Sequence, residues 1–225
     1  MIIYFIIFLI LSTVPVIWLN YVFHKNDQIL INMPFTGLEF GRLILSDYGL
    51  TEVKIEKSLT VDHYDLLEKK VKVTEDRLSK KSLTAISIVC HEIGHAIQHK
   101  EKYKALEQRT SLVKNTAWIS QIGSSILLIG IPTILATGYY PLVKICLLLA
   151  LLSLLIGIIV HLITLEVELD ASFNKALPIL MEGEYVAEDQ LPNIRNVLKA
   201  AAITYFASAL ANVLNIGRWL LLLRR

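Results

Sequence analysis

The stretch VCHEIGHAIQH, residues 89–99, carries residue types at a spacing that suits a catalytic metal ion. Residues four apart lie on one face of an α-helix, so His91 and His95 can direct both imidazole rings at one ion. Glu92 directly follows the first histidine and can reach a water molecule on that ion. This H-E-x-x-H pattern predicts two zinc ligands and a general base. His99, one turn further along, is an alternative candidate for a third ligand.

The same stretch has the apolar spacing of an amphipathic α-helix, and a buried helix with incidental histidines is the competing interpretation. The apolar positions are Ala85, Ile86, Ile88, Val89, Ile93, Ala96 and Ile97. Gly94 is a poor helix former, so its presence predicts close packing against a neighbouring element. Cys90 lies about 100° around the helix from His91, which indicates a packing residue rather than a ligand.

The composition of the whole chain indicates an integral membrane protein. Of its 225 residues, 54% are hydrophobic, and the mean hydropathy of +0.55 is too high for a soluble domain. The net charge of +2 gives no indication of a nucleic-acid partner. The two cysteines do not suggest a disulfide framework.

Long apolar runs define the predicted membrane segments. Residues 1–23 carry no charge and lack the basic start and cleavage site of a signal peptide, which predicts an uncleaved anchor. The runs 117–137 and 141–164, joined by the turn GYYP, can each cross a hydrocarbon core of ~30 Å. The weaker run 200–223 is predicted as a fourth span, with a helix lying on the membrane surface as the alternative.

This pattern divides the chain into an anchor, an α+β domain, a transmembrane hairpin, a second polar segment and a C-terminal membrane helix. Their predicted bounds are 1–23, 24–116, 117–164, 165–198 and 199–225. Because a hairpin returns the chain to the side it left, both polar segments must lie on one side and can share one site. Basic residues are concentrated near the span ends on that side, at Lys25, Lys100, Lys102, Lys104, Arg109 and Lys114. The positive-inside rule then predicts that the site faces the cytoplasm.

The first polar segment reads as helix, strand, strand, helix. TGLEFGRLILSDYG is a predicted helix, with Thr36 and Glu39 forming a capping box and Gly49 at its C-terminal end. TEVKIEK and KKVKVTED alternate in polarity, which predicts a small antiparallel sheet. Ser82 is predicted to begin the helix that carries the histidine pair.

The sequence DHYD, residues 62–65, lies between the two predicted strands. A polar turn is one interpretation, because aspartate favours turns. A functional interpretation is that His63 or Tyr64 donates a hydrogen bond to the oxyanion of a transition state, and His63 is the preferred candidate. Asp62 and Asp65 could also bind a second cation, since carboxylates suit hard ions.

The sequence LEVELDASFNKAL follows the third apolar run and supplies candidates for a third metal ligand. Catalytic zinc usually has three protein ligands and one open position, so an acidic cluster on the side of the histidines suits a His-His-Glu site. A solvated acidic helix start is the other interpretation. Helical geometry puts Glu166 and Asp170 on one face and Glu168 on another. His24 and His161 flank predicted spans and are expected at the membrane interface.

Five stretches resemble the YugP-like family of neutral zinc metallopeptidases of bacterial membranes. In chain order they are FTGLEFGRLILSDYGL, LTVDHYD, HEIGHAIQH, LEVELDAS and LKAAAITYFASAL. The resemblance covers most of the chain and implies a multi-pass membrane zinc hydrolase, with the histidine pair and its glutamate carried over. The corresponding family segment aligns its shared glutamate with Glu168. The spacing in the distantly similar CAAX-prenyl proteases instead selects Glu166 with Asp170.

Together these features predict a mainly α, integral membrane protein. It would have about four transmembrane helices and a small α+β, gluzincin-like zinc-peptidase domain on one side. Zn²⁺ would bind His91, His95 and Glu168, with Glu166 and His99 as alternatives for the third ligand. Asp170 would accept a ring N–H from a ligand histidine and orient it.

The predicted function is a membrane-anchored zinc endopeptidase that acts on a peptide or membrane-protein substrate. Glu92 would take a proton from a zinc-activated water and pass it to the leaving amine. The alternative is a non-catalytic membrane scaffold or chaperone that zinc stabilises, and the presence of Glu92 argues against it. An intramembrane protease is disfavoured, because the apolar stretch 82–98 is too short to span a bilayer.

Overall fold

The computed structural model describes the backbone of residues 2–203, and the side chains of residues 13–203 other than 120, 124, 127 and 154. The helices are α1 (Ile2–Lys25), α2 (Gly37–Asp47), α3 (Glu75–Ser79), α4 (Leu83–Lys100), α5 (Lys104–Ser125), α6 (Ile131–Thr137), α7 (Tyr140–Leu169) and α8 (Leu177–Glu182). The strands are β1 (Lys54–Ser58), β2 (His63–Asp65) and β3 (Lys70–Thr74). Residues 191–203 are helical and are called α9. The predicted fourth span, 200–223, therefore lies mostly outside the described residues.

Helix α2 begins and ends at the residues that its sequence predicts. The Thr36 hydroxyl accepts a hydrogen bond from the Glu39 amide at 3.2 Å, and the Glu39 carboxylate accepts one from the Thr36 amide at 2.8 Å. This reciprocal pair satisfies two backbone donors that have no partner within the helix. Beyond the C-terminal end, Gly49 has φ of +59°, a left-handed conformation that glycine adopts without steric cost. The predicted capping box is confirmed.

The sheet has three strands in the order β1-β3-β2, and the prediction of two antiparallel strands was wrong. Strands β1 and β3 are parallel, with Lys54 opposite Lys70, whereas β2 is antiparallel to β3. The predicted turn at residues 62–65 contains β2, which forms a hairpin with β3. Its connection is fixed by Asp65, whose carboxylate accepts hydrogen bonds from the amides of two following residues. Because β2 occupies one edge of β3, β1 pairs with the other edge.

Helix α4 lies at the centre of the core that residues from the two polar segments of the chain form. The Ser82 hydroxyl caps its first turn by accepting a hydrogen bond from the Ala85 amide at 3.1 Å, as predicted. The helix packs against α2, the sheet, α8 and the chain after α7, so it is buried on nearly every side. The largest fully buried apolar side chains around it include Phe40, Ile44, Val71, Val73, Leu180, Ile194 and Leu198. This surrounding core holds the backbone of α4 in a fixed position.

Among the described residues, two helical segments are long and apolar enough to cross a membrane. Lys104–Thr137 has a mean hydropathy of 1.7, and Tyr140–Glu182 has 2.9. Only 13% and 12% of their most apolar windows are buried, so they are not the enclosed core of a soluble domain. The two segments pack closely against each other at Gly123. A Cβ atom added there would lie only 2.2 Å from the Ser153 hydroxyl oxygen. These segments contain the predicted hairpin, while the membrane spans predicted at 1–23 and 200–223 remain predictions.

Candidate metal centre

The two histidines of α4 point at one carboxylate from α7. The Nε2 atoms of His91 and His95 lie 3.1 Å and 3.2 Å from the same oxygen, Oε2 of Glu168. The ligand atoms of the three side chains all lie within 4.8 Å of one another, and His91 and Glu168 are buried. Ligands about 2.1 Å from a tetrahedral zinc would lie about 3.4 Å apart, close to the observed N···O distances. The three groups therefore fit a zinc ion by chemistry and by spacing.

The charges of these groups favour a positive charge between them. Burial opposes charge on His95, but attraction from Glu168 outweighs it and raises the pKa of His95 to about 9. Burial also opposes charge on Glu168, yet the attraction and hydrogen bonds of the two histidines lower the pKa of its carboxyl. A carboxylate this deeply buried needs a cation or several donors beside it. A divalent ion would meet that need.

Glu166 lies outside the cluster of His91, His95 and Glu168. It is exposed, and its carboxylate contacts the Tyr103 hydroxyl at 3.4 Å. Two residues along a helix differ by about 200° in direction, so Glu166 and Glu168 cannot both face α4. His99 is also separate, because its Nδ1 pairs with the Tyr64 hydroxyl at 2.9 Å. Among the described residues, the geometry brings Glu168 to the histidine pair and leaves both alternatives elsewhere.

Helix α4 and the chain from Val167 to Ser172, which runs from the end of α7 into the π-helical stretch Asp170–Ala176, meet in opposite directions through three contacts that surround the cluster. His91 contacts Ser172, Gly94 contacts Ala171, and Gln98 contacts the backbone at Val167. The middle contact requires glycine, since a Cβ there would lie 2.7 Å from the Ala171 carbonyl oxygen. The close packing predicted from Gly94 is confirmed. It lets the chain after α7 approach α4 closely enough for Glu168 to reach both rings.

The outer ring nitrogens of both histidines are held as donors. Gln98 is fully buried, and its amide nitrogen donates to the Val167 carbonyl at 2.9 Å and to Asp170 at 2.8 Å. Its oxygen must therefore accept from His95 Nδ1, 2.9 Å away. The single hydroxyl proton of Ser172 goes to the Leu198 carbonyl, so its oxygen accepts from His91 Nδ1 at 2.9 Å. When either ring is neutral, its unprotonated nitrogen is therefore Nε2, and this form binds metal.

Asp170 acts through Gln98 rather than by direct contact, which corrects the prediction that it accepts a ring N–H from a ligand histidine. All four ring nitrogens of His91 and His95 have other partners. Asp170 lies two residues after Glu168 and is rotated from it by about 200° around the helix axis. It therefore does not face the same rings. It fixes the orientation of the Gln98 amide instead.

The histidines and Glu168 line a cleft with a volume of about 620 Å³. Glu92, 7% exposed, lines the same cleft, and Arg77 attracts it electrostatically. His63 also lines the cleft, as its predicted role requires, and its Nδ1 lies 3.0 Å from the Val61 carbonyl. Since a carbonyl only accepts, Nδ1 is the donor there. The Nε2 atom can therefore donate to an oxyanion only when the ring carries both protons.

The two aspartates of the DHYD sequence have structural partners, which disfavours the predicted second cation site. Asp62 pairs with the Arg77 guanidinium and accepts a hydrogen bond from the Thr74 amide at 2.7 Å. Asp65 pairs with Lys72 at 2.9 Å, and the Glu68 amide together with this lysine lowers the pKa of Asp65 to about 2. Each carboxylate is thus already neutralised by a basic side chain.

A family model described as "Putative neutral zinc metallopeptidase" matches residues 1–224. The chain belongs to this family. It is also 30% identical over 202 residues to the "Putative membrane protease YugP" of Bacillus subtilis (strain 168), which covers 89% of this chain and 86% of that protein. No solved structure matches the chain. The family resemblance read from the five sequence stretches is confirmed.

Sequence reasoning did not identify three residues of this family member's site. Gln98 was detectable as a polar residue at the end of an otherwise apolar helical face, three positions after a histidine. Ser172 and Arg77 carried no local signal, because their roles depend on contacts with residues distant in sequence. Cys90, in contrast, packs as expected. Its thiol contacts the Ala176 carbonyl, and burial raises its pKa.

Proposed function

We propose that the protein is a membrane-anchored zinc endopeptidase. The observation that supports it most strongly is the convergence of two imidazole nitrogens and one carboxylate oxygen beside a glutamate-lined cleft. His91, His95 and Glu168 would hold the ion, and all three line the cleft. The family's description as a zinc metallopeptidase agrees with this assignment.

Bound zinc supplies a Lewis acid that polarises a carbonyl group and lowers the pKa of water. The side chain of Glu92 takes the proton of the attacking water and transfers it to the nitrogen of the leaving amine. Its burial and position one residue after a ligand histidine keep the carboxylate near the reacting atoms. Arg77, paired with Asp62, attracts the Glu92 side chain electrostatically.

His63 is the proposed donor to the oxyanion of the transition state. It lies on β2 and lines the cleft, and its Nδ1 is anchored by the Val61 carbonyl. The donor to the oxyanion would be the Nε2 atom of this anchored ring, carrying a proton.

We further propose that the protein crosses the membrane several times with the metal centre on the cytoplasmic side. The exposed apolar surfaces of α5–α6 and α7 and the basic residues near their polar ends support this. A single cysteine in the variant Lys57→Cys, with Cys90→Ala and Cys146→Ala, tests the orientation. An impermeant thiol reagent should label it only after cells are opened, and labelling of intact cells would reverse the orientation.

The function is tested with Glu92→Gln in purified protein. Because all three proposed ligands remain, this variant should retain zinc at the wild-type ratio while peptide hydrolysis falls by at least about 100-fold. His95→Ala is the matched control, and it should lose both zinc and hydrolysis. Wild-type cleavage rates in Glu92→Gln would refute the mechanism. A wild-type protein that binds zinc but hydrolyses no peptide would favour the non-catalytic scaffold.

A further inference from the structure

One wall of the metal cleft is built from helices that lead into predicted membrane spans. Leu19 and Phe23 of α1 line it, and so does Ala201 of α9. The same two helices pack directly against α4, where Val22 and Ala200 pack with Ile88 one turn before the first histidine. Residues inside two predicted apolar runs are therefore in contact with the helix that carries the site.

The metal centre also lies close to the end of a predicted span along α7. This helix is continuous from Tyr140 to Leu169, so Glu168 follows residue 164, the end of the apolar run, by about 6 Å. Ile159 and Leu162 on the same helix are 53% and 59% exposed, as expected for side chains that face lipid. Leu162 precedes Glu168 by six residues, or about 9 Å along the helix axis.

The cleft lining combines polar and apolar groups. Its polar groups include Thr60, His63, Arg77 and Arg109. The residues that α1, α4 and α5 contribute also include the apolar side chains of Leu19, Phe23, Ile88 and Leu106. A chain that passes from lipid into water would meet both kinds of lining.

We propose that the substrate is the juxtamembrane segment of a membrane-inserted peptide or protein, cut just outside its apolar span. This rests on the proposed endopeptidase function. An extended chain advances about 3.3 Å per residue, so 6–9 Å corresponds to about two or three residues between span and cut. The position of the cut is set by the height of the site above the bilayer, and the sequence at the cut has a smaller influence.

The test uses two peptide libraries in bicelles, where both membrane faces are accessible. One library has a span of about 20 apolar residues followed by about 30 randomised residues, and the other has the randomised residues alone. Wild-type protein with zinc is incubated with each, and mass spectrometry maps the cuts. Cuts are expected within about five residues of the span, whatever the sequence. Cuts spread evenly along the tether, or equal cleavage of the free library, would overturn the juxtamembrane assignment while leaving the peptidase function intact.

Two variants of α1 test the apolar wall. Leu19→Gln changes a lining residue and should lower cleavage of the span-linked library about tenfold, with zinc content unchanged. Ile17→Gln is the matched control, because Ile17 is 66% exposed on the same helix and does not line the cleft. Equal rates for the two variants would overturn the role of this wall. Cleavage of neither library by zinc-loaded wild type would instead refute the endopeptidase function, and this inference with it.

Discussion

Replacing Glu168 by glutamine removes one charge from the candidate metal centre while preserving the size of the side chain. The carboxylate is 2% exposed and its Oε2 lies within 3.2 Å of both ligand nitrogens. Losing an outer partner of a ligand typically weakens metal binding by about 10–100-fold. Losing the ligand carboxylate itself should cost more than about 100-fold, which corresponds to more than about 2.7 kcal/mol of binding free energy.

The assay is a competition titration of the purified protein against a chromophoric zinc chelator in detergent. Glu166→Gln is the matched control, because it makes the same chemical change two residues away on the exposed side of α7. Its zinc affinity should stay within about twofold of wild type, since its carboxylate contacts only the Tyr103 hydroxyl among the described residues. Thermal unfolding of both variants checks that each is folded.

Glu166 and Glu168 as third ligand predict opposite results for the two variants, so the titration distinguishes between the two assignments. If Glu166→Gln loses zinc and Glu168→Gln retains it, Glu166 is the third ligand, as the spacing in the CAAX-prenyl proteases indicates. The packing of α4 against the end of α7 would then be wrong. If both variants retain zinc, the third ligand is another residue and the convergence of the three side chains has no role in metal binding.

Two further predictions concern the contact of α4 with the end of α7 and the stretch that follows it. Gln98→Leu should weaken zinc binding by about 10–100-fold in the same titration, because His95 loses the acceptor that fixes its tautomer; wild-type affinity would contradict this. Gly94→Ala should lower the melting temperature, since the new methyl group meets the Ala171 carbonyl at 2.7 Å and overpacking costs about 1–3 kcal/mol. Gly157→Ala is its control, with open space at the Cβ and a gain in helix propensity, and equal melting temperatures for the two variants would refute the packing argument.

The features that sequence predicted correctly depend on residues close together in the chain. The capping box at Thr36 and Glu39 and the cap at Ser82 are each set within four residues. The spacing of His91 and His95 on one helical face is equally local. Such patterns can be read without knowing what the helix packs against.

The direction of the strands could not be read in that way. Alternating polarity marks TEVKIEK and KKVKVTED as strands, but alternation is the same for parallel and antiparallel neighbours. The outcome depended on β2, a strand of three residues that the sequence presents as a turn. Once β2 pairs with β3, the free edge of β3 accepts β1 in the parallel direction.

The choice between Glu166 and Glu168 shows why the candidate site was only partly predictable. Both residues follow the same apolar run, and the sequence contains a spacing argument for each. What separates them is the rotation of α7 about its axis, and that rotation is fixed by three contacts of α4 with the end of α7 and the π-helical stretch that follows it. Gly94 admits the backbone at Ala171, just beyond α7, while Gln98 binds Val167 and Asp170. The contacts that hold the two helices together therefore also orient the histidine rings and select the carboxylate that faces them.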